Sequence, residues 1–226
     1  MTLQQLIDQF RSDVDDRIAT YLFSDADVIG WLNEAEREAA LRANLIFDAT
    51  TGDVCDIAVT AGTNVYPMHS AIFVIERASF LADGADAEDA VVLNIVGRLE
   101  LNRLRPNWRT TEEAPSALIV DDKTVQIGCL PSENGTLSLE VYRAPLTPMV
   151  LGDGDPMSPE IALEHHRHLV EWAKFRAFSR PDAEVFDPKR ADQAEAIFTR
   201  QFGPRPDADQ RRATYASQPH ATRAWV

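Results

Sequence analysis

Ser24-Asp25-Ala26-Asp27-Val28-Ile29-Gly30-Trp31-Leu32-Asn33-Glu34-Ala35-Glu36-Arg37-Glu38-Ala39-Ala40-Leu41-Arg42-Ala43-Asn44-Leu45-Ile46 reads as one helix with a defined start. Ser24 can cap the first free amides, and Asp27, three residues on, reaches back while adding negative charge at the positive helix end. Val28, Leu32, Ala35, Ala39, Ala43 and Ile46 recur at three and four residues and form one apolar stripe, with Trp31 on its flank. Glu34, Arg37 and Glu38 fall away from that stripe. A helix patterned in this way buries one face against others, and both ends of the chain supply them.

Upstream, Thr2 and Gln5 form a capping-box pattern ahead of Leu3, Leu6, Ile7, Phe10, Val14 and Ile18, a second stripe that predicts a helix to about Arg17. Downstream, Ser158-Pro159 has the form of an N-cap with proline in the first helical position, and Ala162, Leu163, Leu169, Val170, Trp172, Ala173 and Ala177 spread over half of the wheel. Asp187-Pro188 opens a last helix striped by Ala191, Ala194, Phe198 and Phe202 and closed by Gly203.

Between these helices the pattern changes to short β segments. Strands are predicted at 56–60, 64–68, 72–80, 117–120, 124–130 and 136–143, the last three as a meander, with Glu133-Asn134-Gly135 a tight turn whose glycine supplies positive φ. Residues 91–96 are ambiguous, and 99–104 read as a short helix stopped by Pro106. The expected architecture is α+β. An antiparallel helical bundle from both chain ends, residues 1–48 and 158–203, carries a β-rich insertion over 49–157 and an extended C-terminal arm over 204–226.

At 226 residues the chain can bury a core without disulfides or metal. Cys55 and Cys129 form no CxxC pair and read as buried free thiols. No apolar run approaches the roughly 20 residues of a membrane span, and the N-terminus lacks a signal peptide's pattern, so a cytosolic location is expected. The net charge is −14; residues 204–226 carry +2, which leaves −16 on the body. A body so acidic is not expected to adhere to nucleic acid, since phosphate binding needs clustered Lys and Arg.

Candidate chemistry is sparse. In Glu164-His165-His166-Arg167-His168 the histidines His165 and His168 stand three apart and could share a metal with Glu164, but the HExxH order and further ligands are missing, so helix packing is the expectation. His69 and His220 have no companion. Asp15-Asp16 and Asp121-Asp122 lie at a helix end and a turn, where solvated charge is expected. Ser132 and Ser138 lack a nucleophile elbow, and no phosphate-cradling glycine loop occurs. Neither catalytic residues nor cofactor or metal sites are expected.

The order of several landmarks resembles the head-to-tail connector, or adaptor, proteins of tailed bacteriophages. They are the N-terminal helix, Trp31-Leu32-Asn33-Glu34-Ala35, the strand-turn-strand from Ile57 to Tyr66-Pro67, Pro106-Asn107-Trp108 and Val141-Tyr142-Arg143-Ala144-Pro145. They continue with Leu169-Val170-Glu171-Trp172-Ala173 and Phe198 to Phe202-Gly203. The resemblance implies a non-enzymatic virion protein at the head–tail junction: a homo-oligomeric ring, a dodecamer, between the portal protein and a tail or nozzle protein, passing DNA without binding it specifically. It also implies a C-terminal extension that grips the portal, which makes Arg211, Arg212 and Trp225 the expected contacts. Competing readings are a tail-completion or other joining protein without portal contact, a monomeric binding module, and a metal-dependent enzyme using Glu164, His165 and His168.

Overall fold

Thr2 opens the first helix, α1 (Leu3–Val14), by reciprocal bonding. Its hydroxyl accepts from the Gln5 amide at 3.3 Å and its own amide donates to Gln5 Oε1 at 3.0 Å. Asp15 adopts a left-handed conformation and ends the helix. Ile18, counted with the stripe in the sequence, therefore lies beyond it and is 83% exposed. The long helix α2 (Asp25–Ala43) starts at Ser24, whose hydroxyl accepts from the Asp27 amide at 3.1 Å, and stops at left-handed Asn44.

The computed structural model describes residues 1–152, 157–181 and 185–207, and these fall into two units, one within residues 1–46 and 143–205, the other of residues 47–142 with 206–207. In the first unit, a 3₁₀ turn (Leu163–His165) leads into α5 (His166–Phe178), which packs against α1, α2 and the last helix, α6 (Pro188–Phe202). Leu32 from α2 and Trp172 from α5 are both buried there. Residues 158–162 are not helical despite Ser158-Pro159. Their backbone bonds outward instead, because a carboxylate on α2 takes the amides of Glu160 and Ile161, and the carbonyl of Ile161 accepts from His166.

The second unit holds, in chain order, β1 (Phe47–Asp48), the short helix α3 (Gly52–Cys55), β2 (Asp56–Val59), β3 (Val65–Pro67), β4 (Ile72–Ala82) and β5 (Val91–Ile95). After them come the helix α4 (Arg98–Leu104), β6 (Glu112–Glu113), β7 (Ala117–Val120), β8 (Thr124–Ile127), β9 (Leu130–Pro131) and β10 (Gly135–Arg143). The main sheet has the order β1-β10-β4-β5-β7-β8-β3, with β2 also on β10, while β6 and β9 form a separate parallel pair. The expected terminal meander does not form: β7 and β8 make a hairpin, β5 and β7 run parallel with α4 in their connection, and β10 crosses back to β4.

This connectivity forces the sheet to curl. Laid flat, β2 and β3 would stand six strand spacings, about 29 Å, apart, yet the chain from Val59 to Val65 reaches at most about 21 Å. The Tyr66 hydroxyl fixes the linking turn, accepting from the Thr60 amide at 3.0 Å and donating to the Thr63 carbonyl at 2.6 Å. Inside the curl lie Leu118, Val125, Ile127, Leu137, Leu139 and Val141, all essentially inaccessible to solvent. Strand β7 is buried on both faces because Ala117 and Ile119, on the side away from this core, are covered by Trp108 and Leu101.

The expectation of an antiparallel helical bundle with an inserted β-rich unit is thus corrected. The fold is mixed, with six helices among the described residues and a curled, strand-rich core that buries its own apolar faces, and two of those helices belong to the strand-rich region itself. Gly135 is corrected too. It lies in β10 without positive φ, and it is glycine because a Cβ there would run into the Leu81 carbonyl and the Phe80 ring.

Candidate functional site

At about 100° per residue, the buried stripe of Val28, Leu32, Ala35 and Ala39 on α2 has Asn33 and Glu36 on one flank and Glu38 and Arg42 on the other. Each of these polar residues holds a piece of chain from the C-terminal half. Asn33 makes a two-pronged clamp on Met149, accepting from its amide at 2.7 Å and donating to its carbonyl at 3.0 Å. Glu36, buried, accepts through Oε1 from the Glu160 amide at 2.5 Å and the Ile161 amide at 3.4 Å. Burial pushes its carboxyl above the ordinary range, against the opposing pull of those two amides. Glu160 in turn receives the buried guanidinium of Arg143 at 2.5 Å and the Leu146 amide at 3.2 Å.

On the other flank Glu38, also buried, accepts from Arg42 at 3.2 Å and pairs with Arg205 at 3.3 Å. Arg42 reaches Thr199 Oγ1 at 3.1 Å and the Gly203 carbonyl at 3.4 Å, and its guanidinium lies 5.0 Å above the Trp172 ring and 5.1 Å above Phe198. The mutually tilted rings of Trp172, Phe198 and Phe202 support it, with centroids 4.9 Å and 4.7 Å apart. The end of α6 and the residues that open the C-terminal extension are thereby pinned to α2.

The link between α1 and α2 is equally built. Arg11, buried, binds Asp16 at 2.9 Å, the Phe23 carbonyl at 3.1 Å and Asp25 at 2.6 Å, while Tyr21 stacks on its guanidinium at 3.5 Å. Asp16 accepts from the amides of Leu22 and Phe23. Asp16 is therefore a buried structural acceptor and not the solvated charge its place at a helix end suggested.

The other candidates are dispersed. His165 and His168 both lie against Phe202, with centroids 5.7 Å and 6.3 Å away, while Glu164 is exposed in the 3₁₀ turn. Among the described residues no three His, Cys, Asp or Glu side chains come together in a metal-binding group. His166 is buried, with Nε2 2.8 Å from the Ile161 carbonyl and Nδ1 3.0 Å from the Met1 carbonyl. Asp121 pairs with Arg98 at 2.5 Å, and Ser138 donates to Asp56 at 2.8 Å. His69 Nδ1 accepts from the Ala71 amide at 3.2 Å. Burial raises both thiols, Cys129 to about 11, so neither is a ready nucleophile near neutral pH. Arg211, Arg212, His220 and Trp225 lie outside the described residues.

The sequence reading missed Asn33, Glu36, Glu38 and Arg205 as a set. The positions of Asn33, Glu36 and Glu38 beside the stripe are visible, but their partners Met149, Glu160, Ile161 and Arg205 lie more than a hundred residues away in the chain, and nothing local names them. Such an arrangement fixes segments in place: its carboxylates and guanidinia are bonded to backbone and to each other. Among the described residues no helix is long and apolar enough to cross a membrane.

No curated protein matches the chain. Residues 1–223 match the family model described as SU10 adaptor protein. With nearly its whole length covered, the chain belongs to the SU10 adaptor protein family and is a structural phage adaptor.

Proposed function

We propose that the protein forms a ring, a dodecamer, at the head–tail junction of a phage virion, where it seats a tail or nozzle protein on the portal and extends the DNA channel. In this reading residues beyond Arg205 dock on the portal through Arg211, Arg212 and Trp225, and the subunit catalyses nothing. The observation that carries it, given the family, is the pinned root of that extension. The Glu38–Arg205 pair and the Arg42 bond to the Gly203 carbonyl fix where the segment starts, so copies arranged in a ring present their extensions at equivalent positions. Contacts repeated around a ring reinforce one another, and weak single contacts become a durable assembly. The acidic body supports a conduit role, since carboxylates facing a channel repel phosphate.

A chain ending at Asp207 tests this reading, because it keeps Arg205 on Glu38 while removing the proposed contacts. Its thermal melt should match that of the full chain, and its cosedimentation with portal rings should be lost. Cosedimentation equal to that of the full chain would place the docking surface elsewhere.

A further inference from the structure

The strand-rich unit carries two surface patches that complement one another but sit at opposite ends of β5. Before the strand, the fully exposed segment 83–90 holds Asp83, Asp86, Glu88 and Asp89 and runs into Val91 and Val92, which are 44% and 51% exposed. After it, α4 buries Leu101 under Trp108 but turns Leu99 and Leu104 outward, 81% and 68% exposed, with Arg103 exposed between them. Residues 98–109 hold four arginines against one acid, Glu100, a local excess of +3 in a chain of net charge −14. Arg98 and Arg105 are paired with Asp121 and Glu113. Arg103, Asp83, Asp86, Glu88 and Asp89 enter no ion pair among the described residues.

We infer that the face of α4 formed by Leu99, Arg103 and Leu104 is a docking site for segment 83–92 of a second copy of this chain. Within one chain β5 separates the two patches: Val91 and Ile95 are about 13 Å apart at the rise of a strand, and the strand is fixed on both edges by β4 and β7. The first patch joins exposed branched aliphatic side chains to four carboxylates, and the second joins them to Arg103, with Glu100 also exposed on the helix. Bringing the two patches together removes apolar surface from water and places Arg103 among carboxylates that enter no ion pair among the described residues. The contact joins unlike surfaces, so it runs head to tail and closes by rotation. It rests on the ring reading above and specifies which surfaces meet.

Two full-length variants, Leu99→Cys and Val92→Cys, are mixed and treated with a bis-maleimide, both alone at high concentration and after assembly on portal rings. Native Cys55 and Cys129 are buried. The expected product is a crosslinked Leu99→Cys/Val92→Cys dimer, at least tenfold above the pairing of Leu99→Cys with Gln193→Cys, which lies on exposed α6 surface. Arg103→Glu should abolish the crosslink, and adding Glu88→Arg in the same chain should restore it. Assembly by mass with the crosslink at control level overturns this contact and leaves the ring reading intact. A chain that remains monomeric in both settings overturns both.

Discussion

Glu36 shows how a single residue can be plain in the sequence and opaque in its role. It sits one position past the apolar stripe of α2, where glutamate reads as solvated, but it is buried with its Oε1 on the amides of Glu160 and Ile161. Because burial raises its carboxyl pKa, the folded state holds this proton more tightly than the unfolded state. The stabilisation tied to that proton is complete below the ordinary carboxylate range and is lost as pH rises through the raised value. Glu36→Gln keeps an acceptor for both amides without the charge. Its melting temperature should exceed that of the native chain at neutral pH, with the gap closing in acid, as followed by calorimetry over a pH series. Glu36→Ala, which leaves both amides without an acceptor, should lose about 1–3 kcal/mol in denaturant titration. Asp16 belongs to the same class: its partner Arg11 lies only five residues away, but the turn that brings them together was not predictable from composition.

At the scale of elements, the caps were legible because cap chemistry is local. Thr2, Ser24 and Asp187 each accept from the amide three residues on. Ser158-Pro159 carries the same signal and fails, since tertiary bonds from Glu36 and His166 claim the backbone that a helix would need. The alternation in β10 was equally legible, whereas the parallel pairing of β5 with β7 and the curl followed from connections that no single segment encodes. Between α5 and α6, Trp172, Phe198 and Phe202 form a buried aromatic cluster. Trp172→Ala should cost about 3–5 kcal/mol, read as a lower urea midpoint, and an unchanged midpoint would show that Phe198 and Arg42 do not depend on it. In the sheet, Tyr66→Phe removes the hydroxyl that ties Thr60 to Thr63 and should cost about 1 kcal/mol, measured in the same way.

For the whole molecule, the landmark motifs now have physical work to do. Asn33 clamps Met149, Trp108 covers the outer face of β7, Tyr66 fixes the turn that closes the curl, and Arg143 binds Glu160. These are positioning tasks. The proportion of the fold was misjudged because stripes announce helices strongly, while a curled sheet emerges only from long-range pairing. The central claim, that this adaptor assembles as a ring on the portal, is tested most directly by native mass measurement of the full-length protein with and without portal rings. A dodecamer on the portal makes the particle heavier by twelve chain masses of 25.2 kDa. A portal ring of unchanged mass beside free protein would contradict it.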